Sequence, residues 1–259
     1  MLHLIVGGGL GITKLYRFKA ILSSREDRYI YLEKPVRIDE IEFRPISSRK
    51  NKIEVLFTVE VDSDEEAKIT AEKFTDNLCT AVLLSTNIAV NVNSIDVVEI
   101  QEIRKSDSGR AKTITIHEII TLKDEVSVGL GLSEPHIKSI IEIAEKVRSF
   151  NELINRFFRW YRWALLEKDP IDRFTKLWIA LEIWTGYKGY KSGKESEMTK
   201  MTNAMMNECG FSKKEAEEMY KTRCALFHSG TYNKALNKLS QLEKCLENIV
   251  RRIRQTVCQ

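Results

Sequence analysis

The chain has 259 residues, of which 43% are hydrophobic and 30% are charged, and its formal net charge is +4. This composition is typical of a globular protein with one large core or two small ones, and it excludes a disordered or low-complexity chain. The first residues lack the basic start of a signal peptide, and no apolar run is long enough to span a bilayer. We therefore expect a cytoplasmic protein without a membrane segment.

The five cysteines show no close Cys-x-x-Cys spacing, and their number is odd. Such spacing is the usual sign of a zinc or redox site. We therefore expect reduced thiols, as in most cytoplasmic proteins, and no metal or other cofactor.

Positive charge is concentrated in the C-terminal part of the chain. Residues 150–259 hold 20 Lys or Arg against 13 Asp or Glu, whereas residues 1–149 hold 21 against 24. Because phosphate contacts supply most nonspecific affinity for nucleic acids, this asymmetry is a mild indication of an anionic partner such as RNA.

Residues 1–128 show the two-residue alternation of half-buried strands. The clearest strand carries apolar side chains at Ile53, Val55, Phe57, Val59 and Val61. Further strands are predicted at 15–22, 28–32, 36–43, 96–103 and 114–122. Ser63 and Glu66 form a capping box for one helix that ends near Ser85, with its inward face at Ile69, Phe74, Leu78, Ala81 and Val82. Since strands and helices do not alternate, the pattern predicts an α+β domain with an antiparallel sheet and one packed helix.

A glycine-containing stretch at 126–135 separates this domain from a second one, predicted over residues 133–259. Helices are predicted there at 135–167 with a kink near 149–151, and at 170–184, 198–207, 213–228 and 233–254. Asp169 and Pro170 give the second of them an N-cap and a first turn, and glycines follow the ends of several. The sum is an all-α up-and-down helical bundle.

The segment from Tyr220 to Gly230 contains two residues suited to phosphodiester chemistry. Arg223 supplies a permanent cation, and His228 is of the residue type that acts as acid and base near neutral pH. On an ideal helix the two lie about 140° apart, so they meet only if the last turn unwinds or if two chains pair their motifs. Cys224 and His228 share a face at i and i+4, but two ligands without others nearby do not make a metal site.

This Arg-x4-His spacing resembles the signature of the HEPN superfamily of helical domains, and the Leu-Trp-x-Ala-Leu-Glu run at 177–182 resembles a second block of its Apea-like members. The resemblance covers residues 150–259. It implies a metal-independent endoribonuclease that leaves a 2′,3′-cyclic phosphate, acts as a homodimer through the C-terminal bundle, and uses Arg223 and His228 as the catalytic pair. Active relatives usually carry Asn, Asp or His after the arginine, where this chain has Cys224.

Arg223 falls on an apolar arc of its helix that includes Phe227. The opposite, polar side carries Lys214, Glu218, Lys221 and Thr222. Burying an unpaired guanidinium is costly, so Arg223 is either part of a structural ion pair, or snorkels, or is a cation in a cleft or interface. Glu182 is the expected partner, with solvent exposure of this glutamate as the alternative. Cys224 is expected to pack beside the pair, and His228 alone could cap the last carbonyls.

Two further groups of cations are candidate RNA contacts. They are Arg156, Arg159 and Arg162 on the first long helix, with Trp163 among them, and Lys188 and Lys191 in the loop after residue 186. Cations beside an exposed aromatic can pair with phosphates and stack bases, but many such stripes are solvated faces and many such loops are linkers.

The sequence thus predicts a HEPN-like protein that processes or binds RNA, with an N-terminal domain of unknown role. The alternative is a noncatalytic HEPN scaffold, in which the bundle dimerises or docks a partner and Arg223 packs against Glu182.

Overall fold

The structure, a computed structural model, describes residues 13–25, 27–46, 51–103, 112–115, 129–190 and 192–258. Its contacts group the chain into two compact units, Met1–Ala144 and Glu145–Gln259. This division lies between residues 144 and 145, C-terminal to the stretch at 128–133 where the sequence predicts a boundary.

The first unit is built on an antiparallel sheet. Its elements are β1 (Thr13–Ser24), β2 (Tyr29–Tyr31), β3 (Val36–Ile38), β4 (Ile41–Pro45), β5 (Lys52–Val61), α1 (Asp64–Thr86), β6 (Val90–Ile103), β7 (Lys112–Thr115) and β8 (Gly129–Gly131). Within the described ranges, six strands form one sheet in the order β3-β4-β5-β1-β6-β7, and all neighbouring strands are antiparallel. β2 and β8 form a separate parallel pair. The predicted α+β class with an N-terminal antiparallel sheet is confirmed.

One face of this sheet packs against α1. The alternation in β5 buries each of Ile53, Val55, Phe57, Val59 and Val61 to 1% exposure or less. The side chain of Ser63 caps α1 as predicted, and Phe74 of α1 packs on Phe57 with ring centroids 4.5 Å apart. The prediction that Ile69 turns inward is wrong, because it is 45% exposed. It lies about 200° around the helix from the buried Ala67.

Several strands differ from the sequence prediction. The predicted strand at 36–43 is divided into β3 and β4 by a turn in which Asp39 has a left-handed φ of 52°. β6 begins at Val90, before the predicted start at residue 96, and β8 lies in the stretch predicted as a linker. β7 falls at the start of the predicted strand at 114–122, most of which lies outside the described residues.

Helices dominate the rest of the chain. They are α2 (Glu134–Arg148), α3 (Glu152–Leu166), α4 (Pro170–Tyr187), α5 (Glu197–Cys209), α6 (Lys213–Ser229) and α7 (Asn233–Val257). The single long helix predicted at 135–167 is two helices, because Asn151 accepts a hydrogen bond from the backbone N–H of Ile154 at 3.0 Å and so starts α3 afresh. The predicted kink is therefore a complete break.

The second unit is a helical bundle. α4 packs against α3 and α7, and α5 packs against α6 and α7. Its core is formed by large side chains that are fully buried, among them Phe157, Phe174, Trp178, Leu181 and Leu246.

Cys209 of α5 and Cys245 of α7 form a disulfide, with their Cα atoms 4.7 Å apart. The expectation of five reduced cysteines is therefore wrong for this pair. The two residues are 36 positions apart in the chain and become neighbours only when α5 and α7 pack, so local spacing could not indicate the bond.

Candidate functional site

Arg223 and His228 lie on one unbroken helix. The side chain of Ser212 caps the first turn of α6 in a capping box with Glu215, and Gly230 ends the helix in the left-handed conformation at φ 63°. Since α6 remains helical through Ser229, the last turn does not unwind. The two residues therefore stay about 140° apart, with a rise of about 7.5 Å between them.

α6 buries only part of the predicted apolar arc, which included Ala216 and Met219. Its buried residues are Ala216, Met219 and Thr222, and Thr222 donates its hydroxyl hydrogen to the carbonyl oxygen of Glu218 at 2.8 Å. Bonded in this way, a threonine can be buried at low cost. Phe227, predicted on the inward arc, is instead 45% exposed, and Arg223 lies at the border between the two faces.

Arg223 pairs with Glu182, as the sequence predicts. An Nη of Arg223 donates to Oε1 of Glu182 at 3.2 Å, and the side chains are 25% and 30% exposed. The guanidinium also lies over the ring of Phe227, with its Cζ 4.9 Å from the centroid. Nε of Arg223 is buried and has no hydrogen-bond partner in the described part of the chain.

The same oxygen of Glu182 accepts a second hydrogen bond. Nε1 of Trp178, one turn earlier on α4, donates to Oε1 at 2.7 Å. Trp178 is fully buried and packs edge to face against Tyr220 of α6, with centroids 6.2 Å apart. Trp178 is thus a site residue that the sequence reasoning missed. Its i, i+4 spacing to Glu182 was the available signal.

Cys224 lies beside Tyr220 and is half-buried with a free thiol. Burial raises the pKa of Tyr220, and the neighbouring Cys224 raises it further. The structure therefore places Cys224 against the tyrosine that supports Trp178.

His228 lies on the last turn of α6 with an exposed side chain. Among the described residues it makes no hydrogen bond or ion pair, so it does not cap the last carbonyls. Its ring is open to a ligand or to a second chain.

The ion pair of Arg223 differs from a bidentate pair of the first unit. There, Arg44 donates Nε and an Nη to the two oxygens of Glu42 at 2.8 and 2.9 Å. Among the described residues, Arg223 instead makes one longer bond and leaves a buried N–H unsatisfied. A bidentate pair is the stronger arrangement, so the geometry of Arg223 is not the one that maximises stability.

The other predicted RNA contacts differ in their exposure to solvent. Arg156 is exposed and Arg159 half-buried, but Arg162 is only 1% exposed, so its assignment to an exposed stripe is wrong. Its position on α3 faces the core, beside the buried Phe158 and Tyr161 in sequence. Trp163 is half-buried and packs on Trp160 with centroids 5.2 Å apart.

Of the predicted loop contacts, Lys188 is exposed, with its Nζ 5.7 Å from the ring centroid of Trp184. Lys191 lies outside the described residues.

None of the helices in the described ranges combines the length and the apolar character needed to cross a bilayer. Comparisons of the chain with protein-family models, curated proteins and solved structures find no match.

Proposed function

We propose that the C-terminal unit is a HEPN-like domain that binds RNA and cleaves it without a metal ion, with Arg223 and His228 as the catalytic pair. The observation that carries this proposal is the state of Arg223. In the described part of the chain it is a partly exposed cation held by one carboxylate oxygen, with hydrogen-bonding capacity left over. An arginine of this kind can bind a phosphate while remaining oriented.

The reaction would be an internal transfer. His228 would take the proton from a ribose 2′-hydroxyl, whose oxygen attacks the adjacent phosphorus. The bond from phosphorus to the 5′-oxygen breaks, this oxygen takes up a proton, and a 2′,3′-cyclic phosphate remains. Arg223 would stabilise the negative charge that grows on the phosphoryl oxygens.

The complete site would form between two copies of the chain. Within one α6 the two residues point in directions about 140° apart, and the helix does not unwind to bring them together. An interface between two protomers can place Arg223 of one copy near His228 of the other. This arrangement is the homodimer that the sequence resemblance implies.

The test is incubation of structured and single-stranded RNA with the protein in EDTA. We expect cleavage that ends in 2′,3′-cyclic phosphates, with at least about a hundredfold loss in His228→Ala, since general acid–base catalysis contributes 10² or more. Arg28→Ala, a change of an exposed arginine in the first unit, is the control and should leave the rate unchanged. Cleavage that is equal in the wild type and His228→Ala, or absent from both, would reject the proposal.

A second function is a noncatalytic scaffold, favoured by the ion pair between Arg223 and Glu182. In that case Arg223 joins α4 to α6 and His228 has no chemical role. The scaffold predicts that Arg223→Lys weakens folding stability or self-association and that no RNA is cleaved, whereas the enzyme predicts loss of activity from a folded variant.

A further inference from the structure

Three exposed apolar side chains lie close together in the sequence where α6 ends and α7 begins. Of the nine large hydrophobic residues that are exposed in the described part of the chain, three lie within ten positions of each other. They are Phe227 at 45%, Tyr232 at 55% and Leu236 at 40%. Single exposed apolar residues are common, whereas a group of them can mark a binding site.

Phe227 has the position of a binding platform. The guanidinium of Arg223 lies over one face of its ring, with Cζ 4.9 Å from the centroid, while Phe227 as a residue is 45% exposed. Around α6 the residue is about 40° from Arg223 and about 100° from His228, which places it between the two. A group stacked on the open face would therefore lie close to Arg223 of the same chain, which in the proposed dimer shares its catalytic centre with His228 of the other copy.

We propose that the open face of Phe227 stacks an unpaired nucleobase of single-stranded RNA, next to the phosphate that Arg223 contacts. This inference rests on the proposed function and specifies its substrate class. An aromatic ring accepts any base, because every base has a π-face, so the platform would select single strands and not a particular sequence. In a duplex, both faces of each base are already stacked, and such a base cannot reach the ring without being flipped out.

The surroundings favour RNA over a second copy of the chain as the occupant of this face. Residues 213–238 contain six Lys or Arg against three Glu, which suits a polyanion. Three exposed apolar residues are also few for a stable protein interface, which typically takes 20–30 residues from each side. Contact between copies would need surface beyond this group.

The experiment measures stacking without cleavage. His228→Ala protein is titrated into a single-stranded RNA decamer that carries the fluorescent base 2-aminopurine. We expect the emission to be quenched as the base stacks on Phe227. A further Phe227→Leu change should abolish the quench and weaken binding at least about fivefold, whereas Phe227→Trp should keep both. Binding to the matched duplex should be weaker and without quenching.

Ile69→Ala is the matched control, because Ile69 has the same 45% exposure but lies on α1. It should change neither signal. Unchanged quenching and affinity in Phe227→Leu would overturn the inference. It would also be overturned if Phe227→Leu lost a dimer in sedimentation while its RNA affinity stayed intact. If the wild type cleaves RNA and Phe227→Leu binds RNA normally, the stacking role of Phe227 is rejected but the proposed function is not. A wild type that neither binds nor cleaves RNA defeats the proposed function as well.

Discussion

The oxygen Oε1 of Glu182 accepts hydrogen bonds from both Trp178 and Arg223, at 2.7 and 3.2 Å. The indole is fixed by the core, so the carboxylate is fixed too, and Arg223 takes its position from it. This ordering also reduces the positive field of Arg223 by placing a negative charge against it. An anion that binds there must compete with Glu182. Glu182 therefore both orients the guanidinium of Arg223 and weakens its attraction for an anion.

We expect Glu182→Gln to strengthen RNA binding several-fold. The amide oxygen can still accept from Trp178 and Arg223, but it no longer neutralises the guanidinium. The cost in folding free energy should be at most about 1 kcal/mol, because the pair is partly solvated. The measurement is the RNA dissociation constant of His228→Ala with and without Glu182→Gln, at low and moderate salt.

The matched control for this change is Glu42→Gln, which removes the carboxylate partner of Arg44 in the first unit. If both glutamine variants gain affinity equally, the effect is one of net charge and not of Arg223. A gain that persists when Arg223 is also changed to Gln would lead to the same conclusion.

At the scale of elements, the contact between β1 and α1 ties the start of the sheet to its helix. The hydroxyl of Tyr16 on β1 donates to Oδ1 of Asp64 in the first turn of α1, and Lys14 donates to the same oxygen at 2.9 Å. Tyr16 is 2% exposed. Burial, followed by the bond to Asp64, raises the pKa of Tyr16 to about 12, and the bonds from Tyr16 and Lys14 lower the pKa of Asp64.

Tyr16→Phe should therefore destabilise the protein in a pH-dependent way. Because the folded-state pKa of Tyr16 is raised, its contribution is complete below the unfolded value of about 10 and is lost as the pH rises towards 12. We expect the variant to lose about 1–2 kcal/mol at pH 8 and a smaller amount at pH 11. Urea unfolding at both pH values measures the difference. Phe18→Leu, a core change without a titrating group, should lose the same unfolding free energy at both pH values. An equal loss at both pH values for Tyr16→Phe would contradict the argument.

Local signals predicted the elements well where they act within a few residues. The glycine at 230 follows the predicted end at residue 228, and α6 ends within one residue of it, at Ser229. The break at Asn151 was placed correctly but underestimated, because periodicity continues across it while the cap that interrupts the helix depends on one side-chain bond. The parallel pairing of β8 with β2 could not be predicted, since it joins residues about a hundred positions apart.

The candidate site shows the same limit. The apolar arc around Arg223 correctly pointed to a partner on α4, because a half-buried cation requires one. The arc was too broad to show which of its edges enters the core. As a result Thr222, predicted on the polar side, is buried, and Phe227, predicted on the inward side, is exposed. The burial of Arg162 was not predicted for a related reason. Its neighbours in sequence are basic and aromatic, and only the packing of the bundle shows that this position is inside.

At the scale of the whole molecule, the proposed function predicts that Arg223 and His228 act between two chains. A homodimer would have a mass of about 60 kDa, twice the 30.0 kDa of the chain. In a site shared between copies, each catalytic centre takes Arg223 from one protomer and His228 from the other. A heterodimer of Arg223→Lys with His228→Ala then contains one centre with both native residues and one with neither.

We therefore expect complementation between two inactive variants. Random pairing of equal amounts makes half of the dimers mixed, and one of the two sites in each is intact, so co-expressed Arg223→Lys and His228→Ala should recover about a quarter of wild-type RNA cleavage. The measurement is the initial cleavage rate of the co-purified pair, with its mass determined by sedimentation and each variant alone as the control. If the mixed dimers form but remain as inactive as either parent, the two residues do not act across chains. Because α6 holds them about 140° apart, that result would also leave no geometry in which the described helix could use them together.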